Sequence, residues 1–135
     1  MSVLQEFLGI RRAVAIWQNR VDVQLGALHG LGLSDFAALF HLLEAPGARL
    51  RRVDLAQRLA VTPSGVTRLL APLERRGIVR RQADGHDARA TYAVLTSSGR
   101  TLARDATVTV TSLAEAILGS LGERDRAAFG KLAAP

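Results

Sequence analysis

Cysteine is absent from this chain. Its absence removes disulfides, thiol redox sensing and thiolate metal sites. Histidine is scarce: three scattered copies leave little for a zinc site, and neither a metal nor a cofactor is expected. Long apolar runs are missing. The longest near the N-terminus covers residues 13–17, far below the ~20 residues that span a bilayer. Glu6, Arg11 and Arg12 interrupt the apolar stretch that a signal peptide would need. The expectation is a soluble cytoplasmic protein without a membrane partner. Catalytic signatures are lacking too. There is no Gly-x-Ser-x-Gly, no His-Glu-x-x-His, no phosphate loop and no dinucleotide fingerprint. An enzyme is not expected.

What is present is a core and a strongly uneven charge. The 135 residues suggest one domain, and 48% hydrophobic content suffices for a packed interior. The net charge is +6. Residues 49–104 hold twelve arginines against four acids, so this segment carries a surplus of eight and the rest a deficit of two. Such a concentration is the electrostatic footprint of a nucleic-acid surface. It also fits a solvated surface in an arginine-biased chain, since Lys131 is the only lysine.

Apolar spacing organises the chain. Leu4, Leu8, Val14, Trp17, Val21, Leu25 and Leu28 predict a long helix over residues 3–28, ended by Gly30 and Gly32. Ser34 is the expected cap of a second helix, 35–44, with Asp35 in its first turn and Pro46-Gly47 after it. Residues 49–52 read as a small strand or an extended loop. A third helix is expected over 53–60. Thr62 is a natural N-cap for a fourth, with Pro63 at its first position and Gly77 as its stop. Residues 78–83 and 90–96 read as strands of a hairpin, joined by a turn over 84–89. Thr96 or Ser97 starts a long helix over about 98–118, and 123–133 forms a last one. Thr107-Val-Thr-Val-Thr111 alternates like a strand, yet Leu102, Ala106, Val110, Leu113, Ile117 and Leu121 keep helical spacing across it. Helix is the reading adopted.

The order is helix, helix, tight turn, helix, hairpin. It predicts a mainly α fold with a small β-hairpin wing, a winged helix-turn-helix. Val66, Leu69, Leu70 and Leu73 form the buried stripe of the fourth helix. Ser64, Thr67, Arg68, Ala71 and Arg75 fall on the other side. Ser and Thr can bond phosphates or bases, and Arg can grip guanine with two bonds. The helix start offers free N–H groups to phosphate. In the hairpin, Asp87 and Arg89 are two apart and point the same way if extended. Asp87 can then orient Arg89 toward a narrow minor groove. Alone, such a pair is an ordinary surface ion pair contributing at most ~1 kcal/mol. Beside a helix-turn-helix the DNA reading takes precedence.

Gly32-Leu-Ser34, Leu55-Ala56-x-x-Leu59, residues 61–68, Leu73-Glu74-Arg75-Arg76-Gly77-Ile78-Val79, Asp84-x-x-Asp87-x-Arg89 and Leu95-Thr96-x-x-Gly99-Arg100 follow in order. In that order, residues 31–104 resemble the MarR family of bacterial transcriptional regulators. The resemblance implies a homodimer on double-stranded DNA at a pseudo-palindromic operator. It implies repression relieved by a small phenolic, lipophilic or oxidising effector. Residues 1–30 and 98–135 would form the dimerisation region, and 34–97 the DNA-binding lobe. By residue, Thr62, Ser64, Thr67, Arg68 and Arg75 lie on or beside the recognition helix. Arg80, Arg81, Asp87 and Arg89 lie in the wing. Two departures stand out. Pro72 sits inside the recognition helix and predicts a bend. Ala88 stands where many relatives carry another arginine, with Arg80 and Arg81 as possible compensation.

Other residues keep two readings. Arg49, Arg51 and Arg52 are phosphate contacts or a solvated loop. His86 is exposed in the wing, near phosphate or only solvated. His41 is read as a packing residue, and Trp17 as core or interface. The apolar faces of residues 3–28 and 102–132 exceed what one lobe covers, which predicts an intertwined dimer. Two rivals share parts of this pattern: a non-specific architectural nucleic-acid binder, and a winged-helix module for protein interaction.

Overall fold

The computed structural model describes residues 1–87 and 89–134. Helix α1 spans Val3–His29 and α2 Leu33–Glu44. A 3-10 turn, Pro46–Ala48, leads into strand β1, Arg49–Arg51. Helices α3, Arg52–Leu59, and α4, Pro63–Arg75, follow. Strands β2, Val79–Ala83, and β3, Thr91–Leu95, make the wing. Helices α5, Ser97–Leu118, and α6, Glu123–Ala133, close the chain. The expected winged helix-turn-helix is therefore present. No single helix among the described residues is long and apolar enough to cross a bilayer.

Local chemistry sets the ends. Ser2 and Gln5 cap α1 reciprocally, each side chain accepting from the other's backbone N–H. Gly30 ends α1 at φ +66, a conformation that costs glycine little. The cap of α2 differs from expectation. Its N-cap is Gly32, and Ser34 lies inside the first turn. Two carboxylates do the capping: Asp35 accepts from the Gly32 N–H at 2.8 Å and Asp22 from the Leu33 N–H at 2.6 Å. An acid on α1 thus starts α2, which helix periodicity does not reveal.

At α4 the cap is as expected: Thr62 Oγ1 accepts from the Gly65 N–H at 3.1 Å. The helix runs through Pro72 to Arg75 as one element. Gly77 then adopts φ +70, and the Ile78 N–H returns to the Leu73 carbonyl at 3.0 Å. Thr96 caps α5 and donates its hydroxyl to the Gly77 carbonyl at 2.6 Å, joining three elements at one point.

The sheet has three strands, ordered β1-β3-β2 and antiparallel throughout. Residues 49–51 are thus a strand, and the hairpin gains an outer partner. Arg51 and Gln82 both lie opposite Tyr92, and Arg49 and Arg80 both lie opposite Val94. Arg49, Arg51, Arg80, Gln82 and Tyr92 consequently share the outer face. The core is packed by Leu25, Leu39, Leu42, Leu55, Val66, Leu70, Leu73 and Val79, all fully buried. It lies beneath α2, α3, α4 and the sheet, and it holds α4 with its opposite face outward. Leu69 is only half-buried at the edge of that stripe.

Candidate nucleic-acid interface

The exposed face of α4 carries Ser64, Thr67, Arg68 and Arg75. Its first turn is tightly ordered. Thr62 Oγ1 meets Ser64 Oγ at 3.2 Å, and the Thr67 hydroxyl donates to the Pro63 carbonyl at 3.2 Å. Thr62 is therefore occupied as a cap, while Ser64 and Thr67 keep acceptor lone pairs for an incoming group. Arg68 and Arg75 have no hydrogen-bond partner among the described residues, so both guanidinium groups face solvent unpaired.

Arg80 and Arg81 are separated by the pleat. Arg81 points to the α4 side, where its Nε donates to Glu74 Oε1 at 3.4 Å. Arg80 points to the outer face and borders a shallow hollow with Thr96, Ser97 and Arg100. The two arginines serve different surfaces. Glu74 also receives Arg52 Nη1 at 3.1 Å, and Arg52 Nη2 reaches Thr67 Oγ1 at 3.5 Å. Arg52, the first residue of α3, thus touches the reading face of α4. The sequence alone offers Arg52 two roles and Glu74 none.

The wing is anchored by Asp84, which is buried. Its Oδ1 accepts from the His86 N–H at 2.9 Å, and its Oδ2 accepts from Arg51 Nη2 at 2.6 Å. These contacts, the backbone N–H of His86 first and Arg51 after it, hold the Asp84 carboxyl below the usual carboxylate range despite burial. The Arg51 guanidinium is raised in turn by Tyr92 and then by Asp84. It lies 5.9 Å from the Tyr92 ring centroid, and Arg49 lies 4.4 Å from it. Arg49 also donates to Gln82 at 3.1 Å.

Asp87 meets Arg89 through the main chain: Asp87 Oδ1 accepts from the Arg89 N–H at 2.9 Å. Among the described residues no ion pair joins their side chains. The carboxylate fixes the backbone from which Arg89 projects and leaves its guanidinium exposed. Ala88 lies outside the described residues. Arg51, Arg52, Arg89 and Asp87 line one hollow of about 290 Å³ between the wing and α3. His86 is exposed beside them.

Elsewhere, His41 is half-buried and packs edge-on against Phe40. Burial, and then nearby Arg58, lower its pKa. Trp17 packs edge-on against Phe129 of α6, ring centroids 6.2 Å apart.

Comparison with known proteins gives a consistent result. The sequence profile of the MarR family matches residues 29–90. The HTH-type transcriptional repressor Mb2911 of Mycobacterium bovis is 32% identical over 121 residues, covering 90% of this chain and 85% of that protein. The transcriptional regulator HosA of Escherichia coli O157:H7 is 29% identical over 118 residues, covering 87% and 81%. Among solved structures, Sco3205 of Streptomyces coelicolor, a MarR family transcriptional regulator crystallised with DNA, superposes with a TM-score of 0.89. It shares 24% identity, over 98% of this chain and 85% of that one.

Proposed function

Given that the chain belongs to the MarR family of transcriptional regulators, we propose that it is a homodimeric repressor reading a pseudo-palindromic operator in the cytoplasm. The observation that carries this reading is the α4 face. Ser64, Thr67, Arg68 and Arg75 stand exposed on a helix whose other side is fixed in the core. A rigid, polar, cationic helix face of this kind fits the major groove. Ser64, Thr67 and Arg68 meet bases, and Arg75 and Arg80 meet phosphates, while Arg81 stays paired with Glu74. Thr62 orders the helix start. Asp87 holds the segment that delivers Arg89 to the minor groove. The related repressor Mb2911 supports the sign of regulation.

Dimerisation uses residues 1–30 and 98–135, leaving 34–97 as the DNA-binding lobe. Val3, Leu4, Phe7, Leu8 and Val14 on α1 and Leu132 on α6 are exposed in the single chain, and a second copy buries them. An effector site lies between α2, α5 and α6. This hollow of about 430 Å³ is lined by Phe36, Phe40, Val110 and Leu118 and by the charged Glu115 and Arg126. Its size and apolar walls suit a small lipophilic molecule.

The test is selection of bound fragments from a random duplex library at near-physiological salt. Enrichment of an inverted repeat with half-sites about one helical turn apart is the expected outcome. Retention without enrichment points to an architectural binder. Failure to retain DNA points to an interaction module.

A further inference from the structure

The recognition helix ends on the helix assigned to dimerisation. Arg76, the C-cap residue of α4, reaches back to the end of α1. Its Nη1 donates to the Gly30 carbonyl at 2.8 Å and its Nη2 to the His29 carbonyl at 3.4 Å. The guanidinium lies against Gly30: a Cβ built there would sit 3.4 Å from Nη2, in van der Waals contact. Those carbonyls carry the negative end of a 27-residue helix. A cation is favoured there, and a forked donor fixes direction as well as distance. Among the described residues, these are the hydrogen bonds that join α4 and its cap to α1 and its cap. The chain of contacts continues. His29 Nε2 meets Thr109 Oγ1 of α5 at 2.8 Å. The end of α1 is thereby held between the reading helix and the second long helix of the dimerisation region.

We propose that Arg76 is a positioning residue that sets the half-site spacing accepted by the dimer. The proposal rests on the dimeric reading above. In a two-fold dimer the distance between reading helices depends on how each is fixed to the helices that pair. One base pair of spacing moves a half-site by about 3.4 Å and turns it by about 34°. A clamp between α4 and α1 resists both displacements. Without it the lobes follow the DNA, and wrong spacings become cheaper. Bases within a half-site are still read by the same α4 face.

The experiment uses the full chain and duplexes carrying the selected half-sites at the preferred spacing and at one and two base pairs either side. The wild type is expected to discriminate sharply among these duplexes. Arg76→Ala is expected to lower that discrimination about fivefold, the low end of ordinary coupling between sites, while half-site base preference is kept. Thr109→Val, on a residue of α5 outside the reading face, is expected to act in the same direction. Arg76→Lys, with one ammonium in place of the fork, is expected to fall between. Melting temperatures are measured alongside. If Arg76→Ala does not fold, the Lys and Val variants decide the matter through the same spacing profile.

Two results overturn the proposal alone. One is an unchanged spacing profile in the folded variants. The other is an equal loss on every duplex with a salt slope shallower by about one, which marks an ordinary phosphate contact. A wild type without any spacing preference removes the dimeric reading and this proposal together.

Discussion

Arginines around α4 fall into two groups, and Glu74 separates them. Arg52 and Arg81 share its carboxylate, whereas Arg68 and Arg75 are unpaired among the described residues. An unpaired Arg beside the helix start is the one able to grip a guanine edge. Arg68→Ala is expected to weaken operator binding by ~1–3 kcal/mol and random-DNA binding by less. Titrations on both DNAs check this, and equal losses make Arg68 a phosphate contact. Glu74 has the opposite effect. It holds two cations away from phosphate and leaves Arg52 leaning on Thr67. Glu74→Gln is expected to raise random-DNA affinity and steepen the salt dependence by roughly 0.9 in slope for each arginine released. It is also expected to reduce the ratio of specific to random binding. An unchanged slope shows that Arg52 and Arg81 stay where they are without the carboxylate. The exposed face of α4 was legible in the sequence because Ser64, Thr67, Arg68 and Arg75 recur at helical spacing. The Glu74 cluster was not. Arg52 lies 22 residues from Glu74, and that contact follows from how α3 crosses α4, which no local pattern encodes.

Between elements, Gly99 marks a close backbone approach. A Cβ there would lie 2.0 Å from the Ile78 carbonyl oxygen, so the first turn of α5 rests directly on the joint between α4 and β2. Gly99→Ala must push α5 away. It is expected to destabilise the protein by roughly 2–4 kcal/mol, read as a fall in melting temperature. The spacing of α5 was visible in its sequence, but this close approach was not. Its β-branched stretch also folds as helix, with the Thr107 hydroxyl satisfied on the Ala103 carbonyl. The wing shows a similar limit. Its strands were readable, yet β1 is three residues long, too short for alternation to distinguish strand from loop. Asp84, which ties β1 to the wing, has no local signature of burial. Because its folded carboxyl titrates below the ordinary range, its contribution is present above the unfolded pKa. That contribution is lost as the pH falls through the lowered folded value. Amide protection at His86 is therefore expected to persist at neutral pH and to weaken in acid. In Asp84→Asn that acid-dependent step should disappear, with protection at neutral pH lowered to about the level the wild type reaches in acid. A wild-type profile flat into strong acid refutes the anchor.

At the scale of the whole molecule, the apolar surface is distributed in two ways. The lobe around α2–α4 buries most of its large apolar side chains, while the N-terminal half of α1 buries almost none. Phe7 is 65% exposed and Leu4 66%. A lone 27-residue helix with such a face has little reason to stay ordered in water, since most helical stability in proteins comes from packing an apolar stripe. Association provides that packing. A charge at the centre of the face opposes it, because burying an unpaired carboxylate is costly. Phe7→Glu is expected to shift the protein from dimer to monomer in sedimentation velocity at micromolar concentration. The DNA-binding lobe has its own core in each chain and should keep most of its ordered structure. Each released lobe still presents the α4 face, so weak binding to a single half-site should survive. Cooperative binding to the inverted repeat should not, because two independent lobes gain nothing from the second half-site. A Phe7→Glu protein that remains dimeric places the interface on other residues. One that becomes monomeric yet keeps full operator affinity shows that dimerisation is not what makes the two half-sites act together.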